Sequence, residues 1–121
     1  LDFFGTWCAP CIKALPKLET LKNKFAADLN IVLVSIEKES TLQSFISKRQ
    51  PFPFSIIVDG DNLFTDAFMP PSYPYTIILD KNRKILAILN AADITEAMLI
   101  KFIKISSNSS AIIINTYHPN S

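Results

Sequence analysis

Residues 31–36 read Ile31-Val32-Leu33-Val34-Ser35-Ile36, a continuous and largely β-branched apolar run. A run of this kind reads as a strand buried on both faces, which occurs inside parallel sheets layered with helices. Its flanks agree. Upstream, Ile12, Leu15, Leu18, Leu21 and Phe25 recur at helical spacing within 9–27, and downstream Leu42, Phe45 and Ile46 do the same within 41–49. Pro16 is expected to kink the first helix, because its ring clashes one turn back and it donates no hydrogen bond. Pro51 and Pro53 end the second helix. A short apolar run at 1–4, ending at Gly5, makes the opening a strand–helix–strand unit, whose strands pair in parallel with a right-handed crossover.

The second half has a different rhythm. Residues 54–58 form a short strand closed by the turn Asp59-Gly60-Asp61-Asn62, and 63–68 form one or two helical turns. Pro70, Pro71 and Pro74 exclude regular structure after that. Two strands, 75–79 and 85–89, are joined by Asp80-Lys81-Asn82-Arg83 in a hairpin-like turn. Asp93-Ile94-Thr95-Glu96 has the capping-box pattern, with Asp93 as N-cap, and opens a last helix to about residue 105. Residues 106–110 read as a Ser/Asn linker, and 111–117 as a further strand or a frayed tail. The sum is an α/β domain with a mixed central sheet and helices on both faces.

Composition narrows the function classes. The chain has 121 residues, 49% of them hydrophobic, enough for one packed core without staples or metals. Its formal net charge is +1 and no basic run of the kind that grips phosphates is present, so nothing points to a nucleic-acid partner and none is expected. Lys22, Lys24, Lys38, Lys48 and Lys101 are scattered, as on ordinary helix surfaces. No apolar stretch is long enough to cross a membrane. The chain opens inside a strand and without Met, as a fragment or processed chain would. Any signal peptide or lipid anchor would then lie outside these residues.

Trp7-Cys8-Ala9-Pro10-Cys11 carries the chemistry. A Cys at a helix N-terminus meets unpaired backbone N–H groups and the positive end of the helix dipole, and both favour the reactive thiolate. A spacing of three sets the second thiol one turn further on, within reach of a mixed disulfide. Cys8, nearer the end and more exposed, is read as the nucleophile, and Cys11, covered by the helix, as the resolving thiol. A zinc site needs four ligands, and the only His is His118 in the tail, so no metal is expected. Two buried structural cysteines are the bland alternative.

The segment Asp2-Phe3-Phe4-Gly5-Thr6-Trp7-Cys8-Ala9-Pro10-Cys11 resembles the active-site segment of the thioredoxin superfamily. Within it, the chain looks like the TlpA-type branch of bacterial exported or membrane-anchored thiol–disulfide reductases. The extra segment 41–68 and the run Tyr73-Pro74-Tyr75-Thr76-Ile77-Ile78-Leu79-Asp80 point there. The resemblance covers residues 1 to about 105. It implies a thioredoxin-like domain over 1–105 that lacks its N-terminal part, followed by a linker or tail at 106–121. It implies a cis Tyr73–Pro74 peptide lying against the CxxC, with Tyr73 touching substrate. It makes Asp2 the buried acid below the CxxC, with a raised pKa, able to take a proton from Cys11. Trp7 is expected both to cover the core and to wall the site, beside Ala9 and Pro10. Ala14 departs from the branch, which often carries Glu at that position, so proton handling falls on Asp2 or water. Glu37 reads as a surface or capping residue and Met69 as loop packing.

The implied function is reduction of protein disulfides in the periplasm or cell envelope. The expected partners are protein thiol or disulfide substrates and an upstream thiol electron donor. The resemblance implies no cofactor, a monomer, and membrane contact only through a preceding anchor. A peroxiredoxin-like thiol peroxidase is the enzymatic alternative. That motif wants Thr or Ser three residues before the Cys, where Gly5 stands, and a Pro further upstream, where residue 1 is Leu. A copper-delivery relative would need C-x-x-x-C and a His. A non-catalytic interaction module would be expected to lose a Cys or the proline. The sheet is predicted to run, in space, 54–58, 31–36, 1–4, 75–79, 85–89, with 75–79 antiparallel to 1–4.

Overall fold

The structure, a computed structural model, describes residues 1–107. Its strands are β1 (Asp2–Phe3), β2 (Val32–Ser35), β3 (Ser55–Val58), β4 (Tyr75–Leu79) and β5 (Ile85–Leu89). Its helices are α1 (Ala9–Lys24), α2 (Glu39–Ser47), α3 (Leu63–Phe68) and α4 (Glu96–Ser107). The sheet order is β3-β2-β1-β4-β5, with β1, β2 and β3 mutually parallel and β4 antiparallel to β1 and to β5. This is the order and direction expected from the sequence.

Alternation along the strands sorts the core into two faces. Phe3, Val34 and Ile77 point one way, where Phe64 and Phe68 of α3 pack on them. Phe4 and Leu33 point the other way, onto Leu15, Leu18 and Leu21 of α1, Leu42 and Phe45 of α2, and Leu99 of α4. The chain steps from β1 to β2 to β3 in one direction. Crossovers of a common hand therefore set α1 and α2 on the same face. Each fully buried Phe, Leu or Ile in these clusters stabilises by roughly 1.5–3 kcal/mol.

The parallel strands all end at one end of the sheet, and antiparallel β4 begins there. The turn after β1, residues 36–38 after β2, the Asp59 turn after β3 and the Tyr73–Pro74 segment before β4 therefore converge. This is the topological reason for a site at that end.

Some local expectations fail. Ile36 lies past the end of β2 and is exposed rather than buried, because the strand stops at Ser35. α1 stops at Lys24, short of the residue 27 expected, where the Phe25 N–H bonds Leu21 O. Asp93 does not cap the last helix. It ends a 3-10 turn, Ala91–Asp93, and Thr95 caps α4 instead, its hydroxyl accepting the Met98 N–H at 3.2 Å. Ser106 and Ser107, expected in a linker, continue α4. Met69, expected to pack, is exposed in the left-handed region that ends α3. The strand or tail expected at 111–117 lies outside the described residues.

Candidate active site

The turn after β1 delivers two cysteines to one helix end. Gly5 O accepts the Cys8 N–H at 3.0 Å, and Cys8 is then the N-cap of α1. Its Sγ accepts the Cys11 N–H at 3.3 Å, and its carbonyl takes the Ile12 N–H at 3.1 Å. Pro10, inside the first turn, has no N–H of its own to satisfy. Cys8 and Cys11 are joined by a disulfide, with their Cα atoms 5.2 Å apart. Cys11 is 0% exposed and Cys8 only 4%. The expected contrast in exposure is therefore slight in the bridged form. The capping position turns the Cys8 sulfur back over the helix end instead of outward.

The expected surrounding residues fall into three groups. Ala9 and Pro10 lie exposed on the outer side of the helix end. Trp7 does not cover the core, since it is 64% exposed. Its ring lies over Gly5 so closely that a Cβ there would sit 2.5 Å from ring Cε2 and Nε1. The same ring stands 5.4 Å from the ring of Tyr73, centroid to centroid. Pro74 is buried and the Tyr73–Pro74 peptide is cis, as the resemblance implies. Gln50–Pro51, for which the sequence carried no expectation, is cis as well.

Asp2 lies one strand residue below the turn and is 1% exposed. Its Oδ1 accepts the Thr76 hydroxyl at 2.9 Å across to β4, and its Oδ2 has no partner. Burial pushes this carboxyl up to about 6, against the Thr76 hydrogen bond and the Leu1 amino group, which both pull it down. A cavity of about 240 Å³, lined by Asp2 and Thr76 and by Leu18, Leu21, Ile78 and Leu99, opens beside it. That is room for water next to the carboxylate.

Two acids matter more than the sequence suggested. Asp59 is buried at the end of β3, and its carboxylate accepts the Phe64 N–H at 3.0 Å, the Thr65 N–H at 2.8 Å and the Thr65 hydroxyl at 2.7 Å. Burial pushes this carboxyl up, but the hydrogen bonds outweigh it and hold the group below its ordinary range. Burial first, and the Asp59 charge second, raise the Tyr73 phenol. An Asp opening a Gly/Asn turn just ahead of a helix was a readable capping signal. Glu37 binds Thr6 in the turn before Cys8, across a separation of 31 residues, and no local signal announced it. Among the described residues no group of three or more His, Cys, Asp or Glu could hold a metal.

Comparison with known proteins follows the same lines. The family model of the AhpC/TSA family matches residues 1–88. The thioredoxin-like protein YneN of Bacillus subtilis is 33% identical over 84 residues, 67% of this chain and 49% of YneN. The thiol-disulfide oxidoreductase ResA of Halalkalibacterium halodurans is 29% identical over 107 residues, 87% of this chain and 60% of that protein. The chain thus spans about half to three fifths of the length of these relatives. The crystal structure of StoA from Bacillus subtilis superposes with a TM-score of 0.66 at 19% identity, covering 85% of this chain and 78% of StoA, a likeness of fold.

Proposed function

The chain belongs to the AhpC/TSA family, and we propose that it works as a thiol–disulfide oxidoreductase that reduces protein disulfides through Cys8 and Cys11. The observation that carries this reading is the Cys8–Cys11 bridge at the N-terminus of α1, with the Cys11 N–H on the Cys8 sulfur. A donor aimed at that sulfur, together with the helix dipole, stabilises a thiolate there.

In the reduced protein the Cys8 thiolate attacks one sulfur of a substrate disulfide and expels the other as a thiolate. Cys11 then gives up its proton, and its thiolate attacks Cys8 Sγ. This releases the second substrate sulfur and forms the Cys8–Cys11 bridge, so two electrons pass to the substrate. Asp2, largely ionised at neutral pH because its pKa is only about 6, takes the Cys11 proton, the role that the resemblance implies for it. An upstream dithiol donor runs the sequence backwards to restore the pair. No cofactor takes part, since the dithiol carries the electrons.

Trp7, Ala9, Pro10, Tyr73 and Pro74 form the substrate-facing rim, and the Tyr73 backbone pairs with an extended substrate strand. Residues 1–105 are the working domain. The protein acts as a monomer in the periplasm or cell envelope, as the resemblance to the TlpA-type branch implies. It runs as a net reductant, because Ala9 and Pro10 offer no side-chain donor to hold a thiolate strongly.

Insulin reduction tests the reading beside a peroxide-consumption assay. Wild type should precipitate insulin in the presence of a thiol donor, Cys8→Ser should lose this, and neither should consume peroxide. Limiting iodoacetamide on the reduced protein should label Cys8 first. Peroxide turnover faster than disulfide reduction would refute the reductase reading in favour of a peroxidase, and predominant labelling of Cys11 would reverse the two roles.

A further inference from the structure

The turn that carries Cys8 leaves the sheet early. Its last ladder bond is Phe4 N–H on Val34 O at 3.0 Å, and β2 ends at Ser35. The Thr6 N–H therefore lies beyond any strand partner. Glu37 supplies one: its Oε1 accepts the Thr6 N–H at 2.8 Å and its Oε2 accepts the Thr6 hydroxyl. The grip is itself anchored. Oε1 also accepts the Ser35 hydroxyl at 3.0 Å, and that hydroxyl oxygen accepts the Glu37 N–H at 3.1 Å. Ser35 is buried, and its carbonyl takes the N–H of Asp59 just past the end of β3. The carboxylate is thus fastened to the sheet through Ser35 and holds the backbone two residues before Cys8. Bonds of a charged acceptor are the stronger class. The one salt bridge among the described residues joins Lys24 and Glu96, so Glu37 spends its charge on this clamp alone.

We propose that Glu37 is a positioning residue for exchange at Cys8: by fixing Thr6 it holds the Gly5–Cys8 turn so that the Cys8 sulfur is presented at one angle over the end of α1. This rests on the redox reading above. In exchange, the attacking sulfur, the central sulfur and the leaving sulfur must lie in line, and a turn free to shift spends less time in that arrangement. Glu37 contacts neither cysteine in the hydrogen-bond network described, and acts through Thr6.

The test compares Thr6→Val, Thr6→Ser, Glu37→Ala and the double variant Thr6→Val with Glu37→Ala. The readout is the second-order rate at which dithiothreitol reduces the Cys8–Cys11 bridge, at a temperature where circular dichroism shows each variant folded. Thr6→Ser keeps the hydroxyl and should stay within about twofold of wild type. Thr6→Val, which breaks the hydroxyl bond alone, should slow exchange by roughly tenfold, the size of one lost hydrogen bond to a charged acceptor, and Glu37→Ala, which breaks both bonds to Thr6, by at least as much. The double variant should be no slower than Glu37→Ala alone, because that change already removes the hydroxyl bond that Thr6→Val breaks. For Thr6→Val, which leaves the charge in place, the equilibrium constant with glutathione should change by less than about twofold while both rates fall together. Residues that merely supported folding would lower the melting temperature and leave these rates alone. Should Glu37→Ala not fold, the Thr6 pair decides the matter. Wild-type exchange that is fast, with Thr6→Val equally fast, would overturn the clamp alone. A wild-type bridge that exchanges no faster than oxidised glutathione would overturn the redox reading and the clamp with it.

Discussion

The Asp2→Asn variant should gain stability relative to wild type as pH rises from acid to neutral. Asp2 is 1% exposed with one oxygen unpartnered, and its carboxyl sits at about 6 in the folded protein. In the unfolded chain an Asp titrates near about 3.9. The folded state therefore holds this proton more tightly. The stability that the neutral carboxyl contributes is fully present below about pH 4 and is lost as pH rises through about 6. Above that the charged, buried carboxylate costs a fixed amount. Two pH units at about 1.4 kcal/mol each make it about 3 kcal/mol. Asn has the same shape and can keep the Thr76 bond through its carbonyl oxygen, but never charges. The amide in place of Oδ2 adds a penalty that does not depend on pH. The stability difference between Asp2→Asn and wild type should thus move in favour of the variant by about 3 kcal/mol between about pH 4 and about pH 8. Urea unfolding of the bridged protein measures this without interference from cysteine titration. With a slope of about 1–3 kcal/mol per molar, the midpoint difference should shift by roughly 1–3 M. A difference constant to within about 0.5 kcal/mol across that range would refute the reasoning.

Asp59→Ala removes the acceptor for two backbone N–H groups and one hydroxyl at the start of α3, and should cost about 2 kcal/mol at neutral pH in urea unfolding. Because the folded Asp59 pKa is lowered, its contribution is present above the unfolded value and fades as pH falls through the folded one, so the cost should shrink in strong acid. Gly5→Ala sets a methyl where the Trp7 ring now lies. The exposed ring can swing away, so stability should fall by less than about 1 kcal/mol, while the emission of the single tryptophan changes as it leaves Tyr73. An unchanged spectrum would contradict the packing described. Glutathione equilibration should place the potential nearer thioredoxin's ~−270 mV than the ~−120 mV of a strong oxidant, and Pro10→His should raise it by giving the thiolate a donor. A wild-type value at the oxidant end would favour disulfide formation over reduction.

Local pattern carried much of the architecture. The apolar run at Ile31, the helical spacing from Ile12 to Leu21 and the Asp80 turn are short-range signals. Each reports which backbone geometry buries its own apolar atoms, and chirality then limits how parallel strands connect. Strand order and direction were legible for that reason, and so was the placing of Cys8 and Cys11 at a helix end. What tertiary structure decided depends on partners far along the chain. Asp2 acquires its raised pKa only where α1, α4 and β4 close over it, with Thr76 74 residues away as its one side-chain hydrogen-bond partner. Trp7, an obvious core candidate by composition, stays 64% exposed because Gly5 gives its ring a bed and Tyr73 a neighbour at the surface. Glu37 looked like a surface charge. It became a clamp because parallel pairing of β1 and β2 brings the two strand ends together just where the ladder stops and leaves the Thr6 N–H in need of an acceptor. Periodicity in a sequence records what each segment buries, whereas hydrogen-bond partners are set by which segments meet, and that is fixed only once the sheet is assembled.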